Sequence, residues 1–347
     1  MRSTVRDVAR RAQVSPKTVS NVVNGTFPVS PATRQRVEAA LTELDYVPNL
    51  SARGLRNGRT GVIALALHDL STPYSASLTR AFVEAAARRQ QTVQIEETGG
   101  SPGREAQLLS RARAQLVDGL VLNPILLETS AVQPGVALPP VVMIGEVEQP
   151  AVDHLWTDNV GALRELTQLL IAEGHQRIAL LGGMRSASYQ LRAQGYREAL
   201  AGAGLEPDPH LEIAVPGWTA AAGAAAIQAH LAVQRLPDAV VCCTDTLAMG
   251  AMSALWTAGY HVPDDVSVVG YDDIPEAEFT VPPLTTVQVD RVALAERALD
   301  LLARRIANPE HTRSSTMLPY RVVRRRSTRP RAGNDSGVAL VGASTTM

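Results

Sequence analysis

"VRDVARRAQVSPKTVSNVVNG", Val5 to Gly25, has the grammar of two short helices joined by a tight turn. Thr4 is placed as N-cap of the first, whose Val5, Val8, Ala9 and Ala12 recur at i, i+3, i+4 and i+7, the spacing of one helical face. Ser15 caps the second, and Pro16 takes its first position, where a missing N–H costs nothing. Val19, Val22 and Val23 supply its buried side. Further along, "VSPATRQRVEAALTELDYVP" (29–48) repeats the pattern, with Ser30 as cap, Pro31 at the first position and Val37, Ala40, Leu41 and Leu44 as the apolar stripe. Three small helices, the first two at helix-turn-helix spacing, make a unit of the kind that reads DNA. A purely structural three-helix cap is the alternative on these residues alone.

In a helix-turn-helix the second helix enters the major groove by its N-terminal end. Here that end presents Pro16, Lys17 and Thr18, and one turn later Ser20 and Asn21. Lysine reaches guanine O6 and N7, asparagine pairs bidentately with adenine, and proline offers an apolar surface to a thymine methyl. Hydroxyls and Arg34 suit phosphates, which position the protein without specifying sequence. The charge is distributed accordingly. Residues 1–60 carry ten Lys and Arg against four Asp and Glu, whereas the rest of the 33 basic and 34 acidic residues leave a balance of −7. A basic head on an acidic body points to nucleic acid as partner, and Lys17, the only lysine of the chain, lies in the head.

The next stretch, "PNLSARGLRNGRTG" (48–61), holds a short helical segment with Asn49 as N-cap and Gly58 just past its end. Gly54 inside it costs roughly 1 kcal/mol relative to alanine, and a helix of two turns is marginal in water. Ala52 and Leu55 nevertheless share one face among Arg53, Arg56 and Arg59. Such a segment reads as a conditional helix that orders on binding.

From Gly61 the chain alternates apolar strands with amphipathic helices. "GVIALAL", "TVQIEE", "DGLVLN", "RIALLGG", "DAVVCCT" and "VSVVGYDD" are the strand runs, with helices expected around Ser75 to Arg89 and Arg104 to Arg113. This is βαβ grammar for parallel sheets covered on both faces, and its length exceeds one doubly wound unit, so two lobes are expected. No dinucleotide or phosphate-loop fingerprint follows any strand, and no cofactor is expected. Cys242 and Cys243 read as buried strand thiols, and the histidines, among them His68, His154, His175 and His261, lack metal-ligand spacing or a nucleophile partner. No catalytic residue and no metal site is expected. At 45% apolar and 19% charged residues, without an apolar run of membrane length or a secretory core in "MRSTVRDVARRAQ", the protein is expected in the cytoplasm, with no membrane partner.

Ligands in such folds gather beyond the carboxyl ends of strands. Those ends supply Asp69 and Tyr74, then Ser186, Ser188 and Arg192, then Thr244 and Asp245, then Asp272 and Asp273, with Trp218 ahead of another helix. Hydroxyls, a carboxylate, an arginine and a flat indole suit a polyhydroxylated ring, so a sugar is the expected ligand. Arg192 is expected to serve this pocket alone. Asp245 has a second reading as a helix cap, and Trp218 as a core aromatic. Asp272 and Asp273, taken as neighbours on an extended strand, should point to opposite faces and form no carboxylate dyad.

The helix-turn-helix, the 48–61 segment and the body that follows resemble the LacI/GalR (lactose-repressor) family of bacterial transcriptional regulators, over nearly the whole chain to about residue 328. The resemblance implies an α/β protein: a small all-α helix-turn-helix head with a hinge helix, then a two-lobed periplasmic-binding-protein-like (type I) core of two parallel doubly wound sheets. It implies a DNA-binding domain at 1–48, a hinge and linker at 49–60, and an effector core at 61–328. Within that core one lobe takes 61–160 and 289–318, the other 161–288 and 319–328, and residues 329–347 form a disordered tail. Pro16, Lys17 and Asn21 then read bases, Thr18, Ser20, Asn24, Ser30, Thr33 and Arg34 lie at phosphates, and Thr4, Ser15 and Asn49 join the DNA side as caps. Ala52 packs against its twin and Leu55 wedges into the minor groove. Ser186, Ser188, Arg192, Trp218, Thr244 and Asp272 contact the effector, Pro73, Tyr74 and Ser75 line the pocket mouth, and Arg291 falls at a pocket position. Gln13 departs from the glycine usual in the turn and is expected to adopt a left-handed backbone.

The function implied is a repressor of carbohydrate-utilisation genes that binds a palindromic operator in double-stranded DNA as a homodimer and is switched by a small-molecule effector, a sugar or sugar derivative. The tail "RPRAGNDSGVALVGASTTM" has no heptads from which to build a larger assembly. A free sugar-binding or transport protein and an α/β enzyme acting on a small polar metabolite are the alternatives.

Overall fold

A computed structural model describes residues 3–24, 27–46, 59–114, 116–125, 131–132, 138–147, 149–183 and 186–331. It divides into two compact units, Met1–Thr60 and Gly61–Met347. Among the described residues no helix is long and apolar enough to cross a membrane.

The first unit is a bundle of α1 (Val5–Ala12), α2 (Pro16–Asn24) and α3 (Pro31–Glu43). Its core is small and aliphatic: Val8, Ala9 and Ala12 of α1 meet Val19 and Val22 of α2 and Val37 and Ala40 of α3. So few apolar contacts leave the helix ends to contribute much of the definition. Thr4 and Asp7 form a reciprocal capping box on α1, Ser15 Oγ accepts the Thr18 N–H at 3.0 Å, and Ser30 Oγ accepts that of Thr33. Gln13 ends α1 at φ 53°, ψ 48°. The left-handed turn therefore forms without glycine, closed by N–H bonds to the carbonyls of Ala9 and Arg10. Arg11 bridges to Glu43 at 2.6 Å and ties α1 to α3.

The second unit contains two parallel sheets. The first has the order β11-β5-β4-β3-β1-β2, from β1 (Val62–Leu67), β2 (Thr92–Glu97), β3 (Gly119–Leu122), β4 (Val141–Ile144), β5 (Asp153–Thr157) and β11 (Ser315–Leu318). On one face, α4 (Pro73–Arg88) and α10 (Arg291–Ala307) bury Leu78, Phe82, Leu299 and Leu302. On the other, α5 (Pro102–Arg113) buries Leu108 and Leu109. Both faces being covered, β1, β3 and β4 are apolar along nearly their whole length.

The second sheet is β7-β6-β8-β9, from β6 (Ile178–Gly182), β7 (Glu212–Ala214), β8 (Ala239–Cys242) and β9 (Ser267–Val269). It is covered by two helix pairs, α6 (Asn159–Ala172) on α7 (Ala187–Gly202), and α8 (Ala220–Val233) on α9 (Asp245–Thr257). The chain passes between the sheets three times: after β5, from β10 (Thr286–Val289) into α10, and from β11 into β12 (Tyr320–Val323). β10 and β12 form an antiparallel ribbon, Thr286 opposite Val323 and Val289 opposite Tyr320. A buried pair, Asp153 with Arg305 at 2.8 Å, ties α10 to β5, and Ser314 N–H completes the carboxylate's shell.

Two sequence expectations need correction. β4, β5, β7, β11 and the β10–β12 ribbon were not among the predicted strands. Residues 329–331, placed in the tail, remain tied to the body: Arg329 O lies 3.2 Å from His175 Nε2, and Arg331 N–H donates to Glu173 O at 2.8 Å.

The α6–α7 contact depends on Gly195. A Cβ there would press into the backbone carbonyl of Val160, well inside van der Waals distance. Gly195→Val is expected to destabilise the core by about 1–3 kcal/mol through overpacking. Denaturant unfolding checks this, and an unchanged midpoint would show that the two helices separate freely.

Candidate functional site

The parallel strands of both sheets point their carboxyl ends at a common cleft, and a cavity of about 120 Å³ lies there, near the size at which a cavity of roughly 150 Å³ holds one benzene ring. One wall comes from the first sheet: Leu67, His68 and Asp69 after β1, Thr72, Tyr74 and Ser75 at the start of α4, Asn123 and Ile125 after β3, Gly145 and Glu146 after β4. The second sheet supplies Ser188 and Arg192 of α7, Trp218, Thr244 and Thr246 at the start of α9, and Asp272. Tyr74 packs against the hydrophobic cores of both sheets, and Ala187 N–H donates to Ile125 O at 3.0 Å across the cleft.

Arg192 is 6% exposed. Its Nε donates to Asn159 Oδ1 at 2.7 Å, its Nη1 to the Cys243 carbonyl, and its Cζ stands 3.6 Å over the Tyr271 ring. Asn159 Nδ2 in turn donates to Glu146 Oε1 at 3.1 Å. The guanidinium is thus an interior strut as much as a pocket group, which corrects the expectation that it serves the pocket alone.

Asp272 and Asp273 are not extended: their φ angles are 113° and 51°, rare for residues with a side chain. Arg291 holds this turn by donating from Nη1 to Asp272 O and from Nη2 to Asp273 O, the latter at 2.7 Å. The Asp273 carboxylate faces Arg325 Nη2 at 2.6 Å and Gln288 Nε2 at 2.6 Å. The two carboxylates do diverge, but through a left-handed turn rather than strand alternation. Burial raises the Asp272 pKa to about 7, Arg192 and Arg291 opposing that rise and Glu146 adding to it. Asp245 is no cap. Thr244 caps α9 by accepting the Leu247 N–H at 3.2 Å, while fully buried Asp245 accepts from Ile274 N at 2.9 Å and Thr286 Oγ1 at 2.5 Å.

Of the expected effector residues, Tyr74, Ser75, Ser188, Arg192, Trp218, Thr244 and Asp272 line the cavity, and Pro73, Ser186 and Arg291 do not. Pro73 is the first residue of α4, Ser186 caps α7 by accepting the Tyr189 N–H at 3.1 Å, and Arg291 is spent on the Asp272 turn. Trp218 is half-buried, lining the cavity and packing against the core of the second sheet. Sequence reasoning missed Thr72, Asn123, Glu146 and Thr246, and gave no role to His68, whose ring burial keeps its pKa below the usual value. Polar residues after the apolar runs VLN and VVMIGE were the available signal. Gly145, at φ 96°, lies where a side chain would strike Asn123.

In the head, Pro16 and Lys17 are exposed at the start of α2, with Thr18, Ser20 and Asn21 half-buried behind them. Ser30 and Arg34 are exposed and Thr33 is half-buried at the start of α3. Thr4 and Ser15 are exposed caps. The side chain of Asn24, and Asn49, Ala52 and Leu55, lie outside the described residues.

The pattern of bacterial regulatory proteins of the lacI family matches residues 4–49, and that of a periplasmic binding protein-like domain matches 167–328. The ribose operon repressor of Haemophilus influenzae is 34% identical over 325 residues, covering 93% of this chain and 98% of the relative. The chain belongs to the LacI family. It is a DNA-binding transcriptional regulator, in a family of repressors and not of enzymes, so the enzyme and free-transporter alternatives fall away. The crystal structure of the lac repressor dimer bound to operator and the anti-inducer ONPF superposes with a TM-score of 0.81 at 30% identity, over 95% of this chain and 100% of that one. The complex of the regulator CelR with cellobiose gives 0.67 at 32% identity, over 94% and 100%.

Two outcomes follow from the LacI-family cleft. Arg192→Ala leaves the Asn159 and Cys243 oxygens without their donor and is expected to cost the unliganded protein about 1–3 kcal/mol. A lowered melting temperature would show it, and an unchanged one would mean the guanidinium is not part of the interior. For Asp272, the folded protein keeps a proton that the unfolded chain releases near the ordinary carboxyl value of 3.8, so stability falls as pH rises from about 4 to about 7. Asp272→Asn should therefore raise the melting temperature by a few degrees at pH 8 and leave it unchanged near pH 4.

Proposed function

We propose that this LacI-family regulator is a cytoplasmic, homodimeric repressor of carbohydrate-utilisation genes that binds a palindromic operator and is switched by a sugar or sugar derivative in the cleft of its core. The observation that carries the reading is the cleft: two sheets present strand ends there, Tyr74 touches both cores, and hydroxyls, carboxylates, Arg192 and Trp218 border one cavity. A ligand in contact with both walls favours one lobe arrangement over another. The cellobiose complex of CelR and the name of the ribose operon repressor support a carbohydrate. The lac repressor dimer on its operator supports the paired, DNA-bound state. Phe279 and Val281, 79% and 93% exposed, are the kind of apolar surface a second copy covers.

In this reading residues 1–48 are the DNA-binding head, 49–60 the hinge, and 61–328 the effector core, with the lobes at 61–160 plus 289–318 and 161–288 plus 319–328. Pro16, Lys17 and Asn21 read bases, Thr18, Ser20, Asn24, Ser30, Thr33 and Arg34 meet phosphates, and Leu55 enters the minor groove beside Ala52, with Thr4, Ser15 and Asn49 holding the helix ends.

Operator selection from random DNA, followed by titration of the complex with sugars, tests the whole reading: a palindromic site whose occupancy shifts with one sugar is the expected result. Within it, Lys17→Ala should change base preference at one position of each half-site by about 1–3 kcal/mol. A loss that is uniform across sequences would make Lys17 a phosphate contact instead.

A further inference from the structure

We propose that the cleft takes an uncharged polyhydroxylated ligand and rejects the phosphorylated or carboxylated form of the same ring, with Glu146 and Asp272 as the discriminating groups; this rests on the effector reading above. Three carboxylates, Asp69, Glu146 and Asp272, border the cavity against one guanidinium. Two nitrogens of that guanidinium are already engaged: Arg192 gives Nε to Asn159 and Nη1 to the Cys243 carbonyl, and lies on Tyr271. Arg291, the next cation, spends both terminal nitrogens on the carbonyls of Asp272 and Asp273. Bidentate capture of a phosphate or carboxylate needs a free fork of this kind.

The other device for holding an anion is the open N-terminus of a helix. Three helices begin at the cleft, α4, α7 and α9, and in each the cap hydroxyl takes one of the first-turn N–H groups that an anion would use. Thr72 Oγ1 accepts the Ser75 N–H at 3.2 Å, Ser186 Oγ that of Tyr189 at 3.1 Å, and Thr244 Oγ1 that of Leu247 at 3.2 Å. A fixed negative charge entering here would meet Asp69 and Glu146, and above about pH 7 Asp272 as well, against one guanidinium engaged through two of its nitrogens.

The same groups suit hydroxyls. A carboxylate is an acceptor only, and a ring with several O–H groups brings the donors it lacks. The Thr244 hydroxyl, whose oxygen already receives the Leu247 N–H, keeps its own proton for a ligand oxygen. Trp218, Leu67 and Ile125 offer apolar surface to the C–H face of such a ring.

Calorimetry on the full-length protein above about pH 7, where Asp272 is ionised, tests this with matched compounds: D-ribose against D-ribose 5-phosphate, and D-glucose against D-glucose 6-phosphate and D-glucuronate. For any ring that binds, the neutral member is expected to bind at least tenfold more tightly, roughly 1.4 kcal/mol. Glu146→Gln and Asp272→Asn, made singly and together, should narrow that ratio, since the amide keeps an acceptor oxygen and loses the charge. A phosphorylated or carboxylated member that binds as tightly as its neutral parent would overturn the proposal, as would a ratio that the folded Glu146→Gln protein leaves intact. Binding by none of the rings would overturn the sugar reading itself, and the charge preference with it.

Discussion

Burying the charge of Arg192 is the constraint around which the core is arranged. A guanidinium out of water is tolerated where its donors and its face find partners. Its partners here come from separate parts of the chain: Asn159 opens α6, the Cys243 carbonyl follows β8, and Tyr271 and Asp272 follow β9. Asn159 passes the network on to Glu146, beyond β4 of the other sheet. Any relative movement of those segments disturbs a buried charge, so the cleft holds its walls in register before any ligand arrives.

The two units solve different problems. The head is too small to be held by its core alone, and its three helices depend on Thr4, Ser15 and Ser30 at their starts and on Arg11 with Glu43 between them. The same hydroxyl caps expose the helix N-termini that carry Pro16, Lys17 and Arg34. The core has apolar surface in excess, buried on both faces of each sheet, and can place charged groups at strand ends without losing its fold. Specific DNA reading and ligand reading thus sit on scaffolds whose stabilities have separate origins.

The head was legible almost residue by residue, because caps, prolines and valine spacing are local signals, and even the left-handed Gln13 followed from a side chain standing where glycine is usual. The strands β1, β3, β6 and β8 were equally open to reading as unbroken apolar runs. β4 hid between prolines in "ALPPVVMIGEVEQP", β7 is three residues long, and β5 carries the consecutive buried polar residues Asp153 and His154, partnered by Arg305 and the Gly145 carbonyl. Partners of that kind are distant in sequence and leave no periodicity behind. For the same reason Glu146 and Asn123 were missed while Trp218 and Arg192 were found. The hinge residues Asn49, Ala52 and Leu55 lie outside the described residues.

The Asp272 turn shows how such distant constraints combine. Periodicity placed Asp272 at the end of a strand, and the expectation of extended geometry followed from that alone. The chain leaves β9 at Val269 and turns left-handed at two consecutive aspartates, a conformation that costs free energy unless surrounding groups impose it. Arg291 grips both carbonyls and Arg325 the second carboxylate, so the turn is held from α10 on one side and from the segment after β12 on the other. Both elements follow crossings of the chain between the two sheets. The first carboxylate is left at the cavity with its ionisation disfavoured by burial. A ligand hydroxyl that hydrogen-bonds to Asp272 stabilises the charged form, and through the same turn it meets a group fixed by Arg291 at the start of α10. The strain in the backbone, the raised pKa and the two arginines are one arrangement, in which a cavity carboxylate is kept high in free energy and attached to segments that follow the crossings between the two sheets.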